Sequence, residues 1–527
     1  MIESSRKGSA SIFVGIFWAV VFSWALAMTV AATLRLSETL HSVVFCVTLV
    51  TVYALMKTAP GAVPSEPQIR WTVLAASLMA IWFMFIRLFG SVDIDAIAFH
   101  LRYDVGSNEI VGDVLWDAMV ALLPFALMCV SWWRLSMRSG GLRIFNRILP
   151  VFLLVCNPLL WTAAGRALAS SVPPVVDLND HYHPPSVTPP PERRNLIHVF
   201  VESAEGTLWQ ANVFGDVADP LKRLAANGWR STGMMQLGST GWTLAGHVAS
   251  TCGVPLFSLG VIHTNGYDNV DEILPHANCL GDILANNGYF NVFLKGASLD
   301  FAGTRGFAEA HGYNRLLGYE ELQERFPGRK NTWGLHDEDL FTIAHEQVKS
   351  LSASERPFSL TMTTIGGHAP EGYVSPSCKT EAFVQKQVNN TLKAFACTNV
   401  LLERFIQALH RDGLLNDTVL IIQSDHLAMR NDASHLLEAL PRENMFFVLG
   451  AEVHGVTNKA ASTIDIFPTI LQLMGYNVPD AKVGLGRSLL SPQPTLVEQY
   501  GVGDLDHAIG EADDLRDRLW GLVRQAS

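Results

Sequence analysis

The chain has 527 residues, of which 49% are hydrophobic and only 17% are charged, and its net charge is −11. This charged fraction is low for a soluble protein, and nearly all the hydrophobic excess lies before residue 170. The negative net charge and the lack of a basic tract exclude nucleic acid as an expected partner. The length predicts two to four domains.

The first third of the chain predicts five membrane spans. Residues 8–34 carry no charge and are long enough to cross a bilayer. Two later runs are short, but Arg87 and Arg134 beside them can extend their charged ends to the interface. A large buried helical domain is the alternative, whereas a cleaved signal peptide fits badly because the first run is too long and more runs follow. The other four runs are 39–56, 71–86, 118–133 and 148–165.

Charged loops predict the orientation of these spans. Basic residues precede the first span and fill the loops after the second and the fourth, whereas the loop around residues 93–113 is mainly acidic. The positive-inside rule then places the N-terminus in the cytoplasm. With five spans, everything after residue 170 lies on the other side of the membrane.

The cysteines agree with an exported C-terminal part. Three lie in the predicted spans, where a thiol behaves as a small apolar group. The exported part has four, and an even number suits an oxidising compartment. Sequence order favours the pairs Cys252–Cys279 and Cys378–Cys397, although four cysteines allow three pairings.

Residues 167–194 predict a linker, since seven prolines lie between Pro173 and Pro191. Such a segment is expected to be stiff and extended, and to form neither a helix nor a central strand. The predicted domains are a transmembrane domain at 1–166, the linker, an α/β domain at 195–495 and a C-terminal tail at 496–527.

From Asn195 onward, apolar strands alternate with helices. This rhythm predicts a mainly parallel sheet with helices on both faces, and about 300 residues are ample for one large core. The predicted strands are 196–201, 290–294, 358–365, 418–422 and 445–449, and the clearest helices are 280–287 and 391–410.

Three candidate metal ligands follow two of these strands. Glu202 comes directly after the strand at 196–201, and Asp425 and His426 come just after the strand at 418–422. Open α/β sheets place their chemistry at the carboxyl ends of strands, so these side chains are expected to meet there. An isolated Asp-His pair more often lies in a loop or caps a helix.

Residues 238–247 contain a candidate nucleophile. Glycines in this segment allow a tight turn, and the residues after Thr243 can begin a helix. A hydroxyl at a helix N-terminus lies in a positive field that suits a phosphate. The alternative, which is commoner in general, is that Thr240 or Thr243 only caps the helix.

His368 follows the strand at 358–365 and is a candidate substrate ligand or general acid, with a solvated loop residue as the equal alternative. The acids of residues 337–339 look like a helix start, where they would complement the helix dipole.

Taken in order, these segments resemble the alkaline-phosphatase/sulfatase superfamily, in its membrane-anchored phosphotransferase branch. That branch includes lipoteichoic-acid synthases, lipid A phosphoethanolamine transferases and phosphoglycerol transferases. The resemblance covers about residues 195–490 and the five-span architecture. The motifs that carry it are 200–203 (FVES), 240–246 (TGWTLAG) with 249–257 (ASTCGVPLF), 296–303 (GASLDFAG), 333–341 (WGLHDEDLF), 424–429 (SDHLAM), and 462–471 (STIDIFPTIL) with Gly475.

The resemblance implies that Glu202, Thr243, Asp425 and His426 hold one divalent metal. Three oxygen ligands and one nitrogen suit Mn²⁺ or Mg²⁺, with Zn²⁺ as a further candidate. Coordination of this kind explains how a threonine can act as a nucleophile. The Cys/Ser-x-Pro-x-Arg motif of soluble sulfatases does not occur in the sequence, which argues against sulfate-ester hydrolysis.

The resemblance also implies a two-step phosphoglycerol transfer at the bacterial inner membrane, with the catalytic domain in the periplasm. Phosphatidylglycerol is the expected donor and a periplasmic glucan the expected acceptor. Thr243 and His368 are the expected catalytic residues, and Lys295, Arg305 and His368 the expected substrate contacts. A phosphoethanolamine transferase, a lipid phosphodiesterase and a non-catalytic membrane sensor are the alternatives.

Overall fold

The computed structural model describes most of the chain after residue 174 and parts of the chain before it. The described residues are 16–24, 46, 49–50, 65–89, 123, 125–135, 143–157, 160–161, 175–257, 267, 270–354 and 356–522. The chain divides into two compact units, at residues 1–172 and 173–527.

In the first unit, two helices have defined bounds, α1 at Glu66–Phe89 and α2 at Arg143–Val155. They pack together around apolar side chains such as Met79 and Leu153. Within the described residues, no helix has both the length and the apolar character that a membrane crossing requires. Much of the five predicted spans lies outside the described residues, so the five-span arrangement stays a prediction.

The second unit contains an eight-stranded sheet in the order β5-β4-β6-β1-β7-β8-β2-β9. Every neighbouring pair is parallel except the two pairs that involve β8, so only β8 runs against the others. The prediction of a mainly parallel sheet is confirmed. The strands are β1 Asn195–Val201, β2 Trp229–Ser231, β3 Met234–Met235, β4 Phe290–Lys295, β5 Arg315–Leu317, β6 Phe358–Thr363, β7 Thr418–Ser424, β8 Phe446–Leu449, β9 Gly455–Thr457, β10 Ala461–Ser462, β11 Lys482–Val483 and β12 Gly486–Arg487.

Helices cover both faces of this sheet. Alternate residues of β1 enter two different hydrophobic clusters: Ile197 and Val199 pack with the helix side chains Leu340 and Phe395, and Leu196 packs with Phe467. Because both faces are buried, the central strands are largely apolar, which is why they stand out in the sequence, although His198, Thr361 and Gln423 are buried polar exceptions. The helices are α3 Leu178–His181, α4 Ala211–Phe214, α5 Asp219–Ala225, α6 Thr243–Cys252, α7 Leu280–Asn286, α8 Thr304–Ala310, α9 Tyr319–Leu322, α10 Asp337–Ser352, α11 Ala382–Gln385, α12 Asn390–Arg411, α13 Ser434–Leu437, α14 Ile466–Leu473, α15 Leu496–Gly510 and α16 Asp513–Leu519.

The described part of the predicted linker is packed against the second unit. Contrary to expectation it contains the short helix α3, whose N-cap Asp177 accepts a side-chain hydrogen bond from the backbone N–H of Asn179. Bridges pair His183 with Gly484 and Thr188 with Asn477. Proline restricts the chain here without preventing local hydrogen bonding at the residues between the prolines.

Two disulfides join segments of the second unit. They link Cys252 to Cys279 and Cys378 to Cys397, which confirms both pairings favoured by sequence order. The first ties the end of α6 to the start of α7, and the second ties α12 to the segment before α11.

Candidate active site

Parallel strands bring the predicted site residues to one edge of the sheet. In the register of the central strands, Val201 of β1 lies opposite Ser424 of β7, and Lys295 of β4 lies opposite Thr363 of β6. The residues that follow these strand ends therefore share the same carboxyl-terminal edge, as the Glu202 and Asp425 positions predicted.

Glu202, Asp425 and His426 form a buried cluster. His426 Nε2 lies 3.4 Å from Glu202 Oε1 and 3.4 Å from Asp425 Oδ2. The side chains are at most 3% exposed, and their possible ligand atoms all lie within 4.8 Å of one another. Two carboxylates and one imidazole this close could hold a divalent cation.

Hydrogen bonds orient these groups for binding a cation. Asp425 Oδ1 accepts the backbone N–H groups of Ser203 and His426, each at 2.9 Å. Among the described residues, Asp425 Oδ2 has no hydrogen-bond partner although it is buried. His426 Nδ1 donates to the Leu427 carbonyl at 2.7 Å, which leaves Nε2 as the ring nitrogen that faces the two carboxylates. The residues present therefore fit a metal ion.

Ser203 was not singled out from the sequence. Its backbone adopts a φ of 57°, which is uncommon for a residue with a side chain. In this conformation its N–H reaches Asp425, and its hydroxyl donates to Glu202 Oε1 at 2.7 Å. Ser203 thus holds both carboxylates, and the strain of about 1–3 kcal/mol is offset by the surrounding contacts.

The charges of the cluster depend on one another. Burial and the neighbouring charge of Glu202 raise the pKa of Asp425 to about 7. Burial alone would lower the pKa of His426, but the negative charges of Asp425 and Glu202 raise it to about 10. Burial opposes ionisation of Glu202 as well, yet the hydrogen bond from His426 holds its pKa below the usual range. The two acids therefore ionise together only when a positive charge lies beside them.

Thr243 begins helix α6 next to this cluster. Its Oγ1 donates to Glu202 Oε2 at 3.4 Å, and its side chain is partly exposed whereas the rest of the helix is buried. The helix approaches β7 closely at Gly246, where an added Cβ would lie only 2.0 Å from the Asp425 carbonyl oxygen. Glycine at this position lets the start of the helix reach the acids.

A layer of buried polar side chains lies behind α6. His247 pairs with Thr363 at 2.9 Å, and the Gln423 amide donates to Ser250 at 2.7 Å. Burial lowers the pKa of His247 well below its ordinary value, so this ring is neutral. These bonds fix the body of α6 to β6 and β7.

His368 lies in the loop after β6 and faces the same edge. Its Nδ1 donates to the Ala369 carbonyl at 2.8 Å, which leaves Nε2 as the acceptor of the neutral ring. The ring packs on Trp333 with centroids 3.9 Å apart, and its charge when protonated contributes to the low pKa of Glu202. His368 is thus near the cluster.

Asp337 anchors the loop that carries His368. Its carboxylate is 1% exposed and accepts the backbone N–H groups of Ile365 and Gly366 and the hydroxyl of Thr398. The sequence interpretation as an acid that complements the helix dipole missed this role. The WGLHDEDLF motif indicated the position, but only the fold shows its partner.

Lys295 and Arg305, the two predicted cationic substrate contacts, have different partners in the structure. Lys295 ends β4, is 5% exposed and donates to Thr304 Oγ1 at 3.0 Å. Arg305 pairs with Asp300 and, at 2.9 Å, with Glu321. Two carboxylates therefore offset the charge of Arg305, and Lys295 lies at the carboxyl-terminal edge of the sheet.

A second group of possible ligands contains Cys252, Cys279 and His311. The two sulfurs form a disulfide, so they do not supply thiolates. His311 is instead held by Asp282 at 2.8 Å.

The geometry agrees with the comparison to known families. The family model described as Sulfatase matches residues 194–476, which is more than half of the chain. The chain belongs to the sulfatase family. This confirms the resemblance found in the sequence.

Two relatives of this sulfatase-family chain are named phosphoglycerol transferase I. The protein of Citrobacter koseri is 32% identical over 441 residues, which cover 82% of this chain and 57% of the relative. The protein of Escherichia coli O6:K15:H31 is 36% identical over 322 residues, which cover 60% of this chain and 42% of the relative. The chain thus spans about half the length of these relatives.

A solved structure shows the same fold. The lipoteichoic acid synthase LtaP from Listeria monocytogenes superposes with a TM-score of 0.50 at 17% identity. The match covers 66% of this chain and 99% of LtaP.

Proposed function

We propose that this protein is a metal-dependent phosphoglycerol transferase that moves the headgroup of phosphatidylglycerol to a glycan acceptor. The observation that carries the proposal is the position of Thr243, whose hydroxyl lies 3.4 Å from Glu202 at the edge of a buried acid–histidine cluster. The two relatives named phosphoglycerol transferase I support the choice of reaction.

Glu202, Asp425, His426 and Thr243 would hold the metal, with Mn²⁺ or Mg²⁺ favoured over Zn²⁺ by the oxygen-rich set. A bound divalent cation lowers the pKa of a hydroxyl beside it and offsets phosphate charge. The chain itself positions the nucleophile at a helix N-terminus, where the partial positive charge favours an anionic group.

The proposed transfer has two steps. Thr243 Oγ attacks the phosphorus of phosphatidylglycerol, the bond from phosphorus to the diacylglycerol oxygen breaks, and the hydroxyl proton leaves with diacylglycerol. An acceptor hydroxyl then attacks the phosphoglycerol-threonine and restores the Thr243 hydroxyl. His368 would accept and return the proton in each step through Nε2, since its Nδ1 is bonded to the Ala369 carbonyl.

The ion pairs of two acids support glycerol over ethanolamine in the proposed donor. A cationic ethanolamine would need an acidic or aromatic partner, and the sequence offers Glu205 and Asp300 as acidic candidates. Glu205 is buried and pairs with Arg442, and Asp300 pairs with Arg305. An arginine therefore already offsets the charge of each acid, and the uncharged glycerol headgroup needs no acidic partner.

The proposed site of action is the periplasmic face of the bacterial inner membrane. The five predicted spans and the basic loops on one side support a multi-pass protein with an exported catalytic domain. A reporter that is active only after export, fused after Ser527, is expected to be active. Activity of a cytoplasmic reporter at the same point would contradict this topology.

Two measurements test the reaction. Diacylglycerol release is expected to be faster from phosphatidylglycerol vesicles than from phosphatidylethanolamine vesicles at equal metal, and the reverse order would overturn the donor. Mass spectrometry of enzyme given donor without acceptor should place a glycerophosphate on Thr243. Thr243→Ala should lose turnover, whereas Thr243→Ser, which keeps the hydroxyl, should retain part of it. An adduct on Thr240 or Ser239 would refute the assignment.

A further inference from the structure

Helix α15 lies beyond the matched sulfatase domain, yet it contacts the turn that precedes the nucleophile. Asp506 Oδ1 accepts the backbone N–H of Gly238 at 2.8 Å. Gly238 opens a short 3-10 turn that ends at Thr240, three residues before Thr243. The C-terminal segment, predicted only as a tail, therefore reaches the start of α6.

This contact lies before the N-terminal end of α6, and other contacts hold the rest of the helix. The body of the helix is fixed by Ser250 and His247, which bond to the sheet strands, and its end is fixed by the Cys252 disulfide. Thr243 lies at the opposite end, and Trp242, which caps the helix, makes no side-chain capping hydrogen bond. The turn before Trp242 instead receives a hydrogen-bond acceptor from Asp506.

The Asp506 carboxylate lies beside the turn. A Cβ on Gly238 would lie 3.5 Å from Asp506 Oδ2 and 3.6 Å from Oδ1, which is ordinary van der Waals contact. Burial raises the pKa of Asp506, and the Gly238 N–H opposes that shift by stabilising the carboxylate. A half-buried carboxylate with this donor is a specific contact and differs from a solvated surface acid.

The C-terminal segment also contacts the chain after α6. The indole N–H of Trp520 donates to the Phe257 carbonyl at 2.8 Å, and its ring stacks on Tyr267. Both flanks of the nucleophile helix are thus held by the same segment, from Asp506 on one side to Trp520 on the other.

We propose that Asp506 is a positioning residue that holds the Gly238–Thr240 turn and so places the Thr243 hydroxyl for attack. The C-terminal segment is then part of the catalytic apparatus. This inference rests on the proposed role of Thr243, but the contact with Gly238 stands without it.

The test uses the full chain in detergent with three variants. Asp506→Ala removes the acceptor, and Asp506→Asn keeps an acceptor oxygen of nearly the same shape. Asp504→Asn is the control, because it makes the same chemical change at an exposed position of the same helix.

Hydrogen exchange measures the effect of the Asp506–Gly238 contact without requiring turnover. Backbone amides of residues 237–243 should exchange faster in Asp506→Ala than in wild type, while Asp506→Asn and Asp504→Asn stay near wild type. Unchanged exchange in Asp506→Ala would overturn the inference, whatever the substrate.

Kinetics then test the consequence. In Asp506→Ala, kcat for diacylglycerol release is expected to fall on the order of ten-fold, with KM and bound metal unchanged, because a small displacement of the nucleophile is costly. Asp506→Asn should recover most of kcat. Equal kcat in wild type and Asp506→Ala would overturn the positioning role. A wild type that releases no diacylglycerol would instead refute the proposed function, and the exchange data would still decide the contact.

Discussion

Gly246 is the point at which helix α6 meets the loop that carries Asp425, and its replacement by alanine gives a sharp prediction. The added Cβ would lie 2.0 Å from the Asp425 carbonyl oxygen, and real Cβ atoms essentially never approach a heavy atom within 3.0 Å. The helix and the Asp425 loop must therefore separate by roughly 1 Å. The obstacle is the backbone carbonyl oxygen of Asp425, so a change of side-chain rotamer cannot relieve the clash.

A displacement of about 1 Å at an active site can lower kcat on the order of 100-fold. Overpacking in a dense core costs about 1–3 kcal/mol of stability, which a folded domain of this size tolerates. We expect Gly246→Ala to keep a cooperative melting transition at a lower temperature, and to lose most of its turnover and part of its bound metal. Turnover, metal content and melting are measured on the same preparation.

Gly510→Ala is the matched control. Gly510 lies at the end of α15, and an added Cβ there meets no heavy atom within 4 Å. This variant should keep wild-type turnover and metal. The reasoning is refuted if Gly246→Ala retains wild-type kcat and metal, since the close approach would then be unnecessary.

Three further predictions concern single acids. Asp425→Asn should lose most of its metal, measured by elemental analysis, because a charged ligand with a buried free oxygen is removed. Asp337→Ala should lower kcat about ten-fold or more without loss of metal, because the His368 loop loses its anchor, and an unchanged kcat would contradict this. Burial raises the pKa of Asp465 to about 6, so its contribution to stability is full below its unfolded pKa near 4 and is lost as the pH rises through 6. Relative to Asp465→Asn, the melting temperature of wild type should fall between pH 4.5 and 7.5, and a rise would contradict the sign.

The sequence predicted the site residues that follow buried strands better than it predicted the residues that hold those side chains or their loops in place. Glu202 and Asp425 follow largely apolar strands, because strands buried on both faces leave a clear signal. The contacts of the Ser203 N–H with Asp425 and of Asp337 with the Ile365 N–H join residues 222 and 28 positions apart, so these roles depend on the fold. No local pattern marks such contacts.

The sequence also did not predict the direction of every strand or the contacts between distant segments. The four apolar residues of β8 do not indicate that this strand is antiparallel to its neighbours. The C-terminal segment was predicted as a tail because its helices carry no motif. Asp506 became a candidate only when the fold placed it on Gly238.

The charge distribution at this edge of the sheet bears on the proposed substrate. Asp300 and Glu321 offset the charge of Arg305. A bound divalent cation would offset the single negative charge of a phosphodiester more completely than the two charges of a phosphomonoester. These ion pairs agree with the proposed diester donor, in which the ester bond to diacylglycerol would be exchanged and the ester bond to glycerol would be kept.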